Sequence, residues 1–168
     1  ASDAITHWKA RGVDLSQILH KPDVSPSVAI HCVRSQDHGL EKALDNDLIE
    51  LAKPAIERQQ AVEIDLPIRN LNRTVCTMLS AEISRRWGAE GLPPETIKIK
   101  FTGSAGQSFG AFMPNGIAVT LEGDANDYFG KGLSGGRIIV YPPRNASFVA
   151  EENIIVGNVS FYGATGGE

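Results

Sequence analysis

Gly103-Ser104-Ala105-Gly106-Gln107-Ser108-Phe109-Gly110 and, twenty residues on from its last pair, Phe129-Gly130-Lys131-Gly132-Leu133-Ser134-Gly135-Gly136 are the stretches on which the fold turns. Phe109-Gly110 is followed six residues after its glycine by Gly116 and then by Ile117-Ala118-Val119. Phe129-Gly130 is followed at the same distance by Gly136 and then, after Arg137, by Ile138-Ile139-Val140. Tyr162-Gly163 opens the pattern a third time. A fixed period of apolar strand plus glycine turn is what a solenoid needs, because one coil cannot bury its apolar face and must stack on the next. Glycine supplies the positive-φ corners that other residues resist. Gly103, Gly106, Gly110, Gly130, Gly132, Gly135 and Gly136 are assigned to those corners. The competing arrangement is an antiparallel meander, for which Pro114-Asn115-Gly116 is suitable turn chemistry. Periodicity alone leaves both open.

Outward from this region the chain changes texture. Thirteen of the seventeen glycines lie at or after Gly103, and thirteen of the sixteen Lys and Arg residues lie before Phe101. The first half reads as mixed helix and strand. Leu40, Leu44, Leu48 and Leu51 recur at helical spacing, with Glu41, Lys42, Asp45 and Glu50 expected to face away. Pro54 starts a new turn running to about Arg58. Val62, Ile64, Leu66 and Ile68 alternate with polar positions, which predicts a half-buried strand. Val75, Met78, Leu79, Glu82, Ile83 and Trp87 predict a helix with caps expected at Asn72 or Thr74 and an end at Gly88. After the Gly91-Leu92-Pro93-Pro94 turn, Ile97, Ile99 and Phe101 alternate into another strand. The second half holds no convincing helix. The expected organisation is an extended lead-in over 1–27, a mixed segment over 28–95 and the glycine-cornered region over 96–168.

With 168 residues, 42% hydrophobic and 21% charged, the chain can bury a core and lacks the composition of a disordered protein. Its formal net charge of −4, without a basic run, argues against nucleic acid and anionic membranes as partners. No apolar stretch approaches the ~18 residues of a membrane span, and a signal-peptide pattern is absent from the N-terminus. Cys32 and Cys76 are the only cysteines, which excludes a disulfide scaffold and indicates a soluble protein of a reducing compartment such as the cytoplasm.

Motifs that could carry chemistry fail on context. Gly130-Lys131-Gly132-Leu133-Ser134-Gly135 matches a dinucleotide fingerprint, but the residues after it run into Pro142-Pro143 with no room for the helix that pyrophosphate binding requires. Gly103 to Gly110 is no phosphate loop, since Ala111 stands where Lys and Ser or Thr are needed. Aligned on a calcium loop, the Asp124, Asn126 and Asp127 cluster has Tyr128 at the fifth position and Gly135 at the twelfth, so the match fails. His7, His20, His31 and His38 lack zinc-pair spacing. Asp37-His38 has no nucleophile placed beside it, and His31 and Cys32, on an expected alternating strand, point to opposite faces. The sequons at Asn72, Asn145 and Asn158 carry no information without a secretion signal.

The glycine runs, together with Leu121-Glu122-Gly123-Asp124-Ala125-Asn126-Asp127-Tyr128, closely resemble the C-terminal domain of the glutamate synthase large subunit. The resemblance extends back through Arg69-Asn70, Leu44-Asp45, Gln36-Asp37-His38-Gly39-Leu40 and His7-Trp8-Lys9-Ala10, so it covers essentially the whole chain. It implies a mainly β fold, a single-stranded right-handed parallel β-helix of GXGXG type preceded by a mixed α/β segment. It implies a non-catalytic scaffold in an enzyme that releases ammonia from glutamine and adds it reductively to 2-oxoglutarate. In that family the glutaminase nucleophile sits in an amidotransferase domain, and the flavin mononucleotide (FMN) and three-iron (3Fe-4S) cluster sit in a synthase domain. Both domains are the implied partners, and no catalytic, cofactor-binding or metal-ligating residue carries over to this chain.

Where the family's helix continues, the sequence stops at Gly163-Ala164-Thr165-Gly166-Gly167-Glu168. The expectation is a piece of a longer polypeptide whose last coil is covered by another chain or self-associates. A separate subunit of a split glutamate synthase or of a formylmethanofuran dehydrogenase complex is the alternative. A β-helix enzyme acting on polysaccharide is a further rival, disfavoured by the few carboxylates of the second half.

Overall fold

A computed structural model of the chain describes residues 6–168. The chain divides into two units, Ala1–His38 and Gly39–Glu168; the first five residues of the expected lead-in lie outside the described residues. Residues 6–38 form isolated turns, such as Ala10 N–H donating to His7 O at 2.9 Å and Leu19 N–H to Leu15 O at 2.8 Å. The strand expected around His31 and Cys32 is not formed, and both side chains are exposed. A lone strand has nothing to supply its ladder bonds, so alternation without a pairing partner does not hold it.

The second unit contains helices α1 (Asp45–Leu51), α2 (Lys53–Arg58) and α3 (Thr77–Trp87) and strands β1 (Val62–Ile68), β2 (Ile97–Ala105), β3 (Ile117–Ala125) and β4 (Arg137–Tyr141). Pro54 lies in the first turn of α2, where its missing N–H leaves no bond unmade. Gly88, at φ 64°, ends α3 as its spacing suggested. The leucine periodicity before α1 is only partly realised. Leu48 is fully buried, but Leu40 and Leu51 are 60% and 49% exposed.

Asp45, expected on the polar face, is the buried residue instead. Its carboxylate accepts backbone N–H bonds from Cys76 at 2.8 Å, Met78 at 2.6 Å and Leu79 at 3.2 Å, the unpaired donors at the start of α3. That corrects the expected caps at Asn72 or Thr74. Cys76 holds the N-cap position in a left-handed conformation, and the capping oxygens come from a residue about thirty positions earlier. Trp87 Nε1–H donates to Ile56 O at 2.8 Å and ties the end of α3 to α2.

The four strands form one sheet in the order β1-β2-β3-β4, every pair parallel. Parallel pairing rules out the meander and leaves Pro114-Asn115-Gly116 as part of a long connection rather than a hairpin. Register follows the apolar alternation. Ile97 pairs with Ile117, Ile99 with Val119 and Phe101 with Leu121, and all six are buried. The next step is shorter by one residue, pairing Ala118 with Arg137 and Val119 with Ile138. A uniform twenty-residue offset would pair Arg137 with buried Ile117 and drive a guanidinium into the core. The slip keeps Arg137 outside, puts Ile138 inside and leaves Ile139 facing outward. Helix residues Leu48, Leu79 and Ile83 share one core with the strand residues.

Candidate functional site

The most elaborately built part of the molecule is the set of loops after the strands. Backbone bonds join each loop to the next. Thr74 N–H donates to Gln107 O at 2.8 Å, Ser108 N–H to Asp127 O at 2.8 Å and Tyr128 N–H to Asn158 O at 2.9 Å. Gly110 donates to Val75 O, Gly130 to Phe109 O and Phe161 to Phe129 O, again one loop to its neighbour. The chain from 155 to 168 thus lies along the loop after β3, although it forms only isolated parallel bridges, Ala125 with Val156 and Ser134 with Gly166.

Positive φ recurs at every second residue of these loops, at 108, 110 and 112, at 128, 130 and 132, and at 159, 161 and 163. Glycine fills Gly110, Gly130, Gly132 and Gly163, while Ser108, Phe112, Tyr128, Val159 and Phe161 adopt the same conformation with side chains. The third repeat therefore aligns Phe161, not Tyr162, beside Gly130. Tyr162 O instead accepts from Gly132 N–H at 2.9 Å, and its side chain is exposed. Aromatic rings line the stack, with Phe109 edge-on to Phe101 at 5.6 Å, Phe129 stacked on Phe109 at 6.1 Å and Phe161 edge-on to Phe129 at 5.4 Å.

All seven assigned glycines sit at close approaches, but only Gly103, Gly110, Gly130 and Gly132 have positive φ; at Gly106, Gly135 and Gly136 a close neighbour, not the backbone conformation, excludes a side chain. At Gly106 a Cβ would lie 2.5 Å from Asn70 O, at Gly110 2.6 Å from Ile138 Cδ1 and at Gly130 2.6 Å from the Phe161 ring. At Gly132 it would lie 2.5 Å from the Phe112 ring and at Gly136 2.8 Å from Met113 Cε. At Gly135 it would overlap the Asn115 side chain, and at Gly103 the Ile68 carbonyl oxygen. Gly91, Gly116, Gly157 and Gly167 are closely approached as well without having been assigned, and the tightest of the unassigned glycines is Gly123. It pairs with Gly103, and its Cβ would overlap the Gly103 carbonyl oxygen. Its signal was the twenty-residue distance to Gly103, hidden because neither glycine belongs to an aromatic-Gly pair.

Several polar and charged side chains bond to neighbouring elements. Asp124 accepts from Ser104 Oγ at 2.6 Å, and Asp127 Oδ1 accepts from Asn158 N–H at 2.7 Å. Asn126 Nδ2 donates to Asn70 Oδ1 at 3.1 Å. Arg137 bridges Glu95 and Glu168. Glu122 accepts from Arg144 N–H at 3.2 Å with Lys100 Nζ 3.6 Å away, and the Arg144 bond is the main cause of a carboxyl held below the ordinary Glu range. Burial raises the Asp45 carboxyl against the pull of its backbone bonds. Burial, with the Asp45 charge adding to it, holds the Cys76 thiol well above its ordinary value. His7, His20, His31 and His38 all fall in the first unit and are exposed. Among the described residues no group of three or more His, Cys, Asp and Glu side chains is arranged to hold a metal. No described helix is long and apolar enough to cross a membrane. The Gly130–Gly135 fingerprint is followed by strand β4 rather than a helix, so it lacks the phosphate-facing helix terminus.

The fold is a four-stranded parallel sheet whose connecting loops are bonded backbone to backbone, with glycine at several positive-φ positions. The chain belongs to the GXGXG motif family, whose model matches residues 45–168. It is 47% identical over 164 residues to the glutamate synthase [NADPH] large chain of Bacillus subtilis, across 96% of this chain and 10% of that protein. It is 48% identical over 160 residues to the glutamate synthase [NADH] of Saccharomyces cerevisiae, across 95% of this chain and 8% of that protein. To the chloroplastic ferredoxin-dependent glutamate synthase of rice it is 40% identical over 165 residues, across 95% of this chain and 10% of that protein. The chain spans about a tenth of the length of these relatives.

Proposed function

We propose that this chain is the scaffold segment of a glutamate synthase large chain, folded as a right-handed parallel β-helix and packed with the glutaminase and synthase domains of the same polypeptide. The observation that carries the reading is the match across 95–96% of the chain to glutamate synthases of which it makes up only about a tenth. The stacked loops support the helix, since parallel strands joined by crossovers are right-handed in about 98% of cases. Its contribution is stiffness. Backbone bonds between successive loops fix the distance between whatever domains pack on the two ends. The chemistry of the complete enzyme, glutamine hydrolysis and reductive addition of ammonia to 2-oxoglutarate, belongs to those domains. This chain's residues do not fit the cofactors of such an enzyme. Two cysteines, one exposed and one buried, do not supply the thiolates of a three-iron cluster, and the glycine fingerprint offers no helix to a flavin phosphate.

Intact mass and peptide mapping of the native protein test the reading. Peptides extending beyond Ala1 and Glu168 on one large polypeptide are expected. A native chain of 18.0 kDa would replace it with a separate subunit.

A further inference from the structure

Asn115-Gly116 is the only place in the sequence where asparagine is followed by glycine, and no aspartate is followed by one. Such a pair is chemically labile. The backbone nitrogen of the glycine attacks the asparagine carboxamide, and no glycine side chain hinders the approach. The fold nevertheless requires both residues. Gly116 stands at φ 100°, and a Cβ there would overlap the Cβ of Leu92. Asn115 lies between two glycines of neighbouring loops. A Cβ at Gly91 would lie 3.1 Å from Asn115 Cβ, and one at Gly135 would overlap the Asn115 carboxamide oxygen. The asparagine side chain fills space that both glycines leave open.

We propose that Asn115 is the spontaneous deamidation site of this protein and that the stacked loops act as its brake. Cyclisation joins Gly116 N to Asn115 Cγ and breaks the Cγ–Nδ2 bond. The Nδ2 nitrogen leaves as ammonia, taking with it the proton of the Gly116 amide. Water then opens the succinimide at one of its two carbonyls. The products are aspartate and an isoaspartate whose main chain runs through the former side chain. To reach Cγ, the backbone must turn at Asn115 and free its side chain, and four ties oppose that. Leu92 N–H donates to Asn115 O at 3.0 Å and Ile97 N–H to Gly116 O at 2.9 Å. Asn115 Nδ2–H donates to Glu90 O at 3.3 Å, and Gly135 packs against the carboxamide oxygen. The reaction therefore waits on local opening of this corner. Its products hinder reclosure. A carboxylate oxygen in place of Nδ2 faces the Glu90 carbonyl, acceptor against acceptor. Isoaspartate also adds a carbon to a main chain pinned on both sides.

Incubation of the native protein in heavy-oxygen water at mildly alkaline pH, folded and in urea, tests the site by peptide mapping. In urea the peptide holding Asn115 should take up heavy oxygen before any other asparagine peptide. In the folded protein its uptake should be slower by about tenfold or more. Uptake first at another asparagine overturns the site, and equal rates in the two states overturn the brake. Asn115→Asp gives an independent readout, because it installs one product without the reaction. It should lower the melting temperature of the native protein, and an unchanged value overturns the hindered reclosure. The scaffold reading stands under every one of these outcomes.

Discussion

At Gly123 a single methyl group would overlap the carbonyl oxygen of Gly103, the residue paired with it across β2 and β3. At Gly130 the neighbour is the Phe161 ring, a side chain 42% exposed and free to turn aside. Backbone in the middle of a sheet cannot give way as a ring at the surface can. Gly123→Ala should therefore cost about 3 kcal/mol or more, and Gly130→Val about 2 kcal/mol, most of it from forcing a β-branched residue to positive φ. Urea unfolding of the two variants checks the ranking, and the reverse order would show that the stack, not its corner, is the yielding part. At this scale the sequence was an incomplete guide: Gly106, Gly135 and Gly136 lack the positive φ assigned to them, Gly116 and Gly123 have it unassigned, and several non-glycine residues share it. Ser108, Phe112 and Tyr128 hold the same left-handed conformation, and nothing in their chemistry announces it.

Elements raise a different question, what ends or starts each one. The start of α3 is satisfied by Asp45, whose carboxylate accepts from Cys76, Met78 and Leu79. Asp45→Ala strands buried N–H groups and should lower stability by about 2–3 kcal/mol, read by thermal or urea unfolding. An unchanged midpoint would mean that water replaces the carboxylate. β4 continues into residues 142–153, whose start is pinned where Arg144 N–H meets Glu122. A carboxyl held below its ordinary value contributes stability that is present above that value and lost as pH falls through the lowered one. Proteolysis within 142–153 should therefore accelerate as pH drops below the Glu range, and Glu122→Gln should flatten the profile. Periodicity located α2, β1 and α3, whereas α1 covers only the second half of the leucine pattern and turns Asp45 inward. The cap was not legible, because the donor set and its acceptor lie far apart in the chain.

The whole molecule is unevenly finished. Core packing is continuous from Leu48 through Phe101 to Leu133, whereas Ile154, Val159 and Tyr162, along the layer beyond the loop after β3, face solvent. Exposed apolar residues gathered on one layer favour association. The 168-residue chain should accordingly associate with rising concentration in sedimentation velocity. Val159→Asn with Tyr162→Ser should suppress that, with asparagine chosen because it tolerates the positive φ at 159. Concentration-independent monomer in the unmodified chain would show that this layer needs no cover.

By itself the sequence determined β1 to β4 and the twenty-residue period between β2 and β3, because each is a local consequence of alternation. Alternation also pointed to a strand around His31 and Cys32 that no partner among the described residues holds. Tertiary structure decided whether the strands run parallel, since good turn chemistry at Pro114-Asn115-Gly116 is compatible with a hairpin until pairing is known. It also decided the one-residue slip at β4, because a charged Arg137 weighs against a uniform repeat only once Ile117 is known to be buried beside it. Asp45 belongs to the same kind of decision. A carboxylate on a helix reads as solvated from its neighbours, and only the arrival of the α3 terminus gives it reason to be inside.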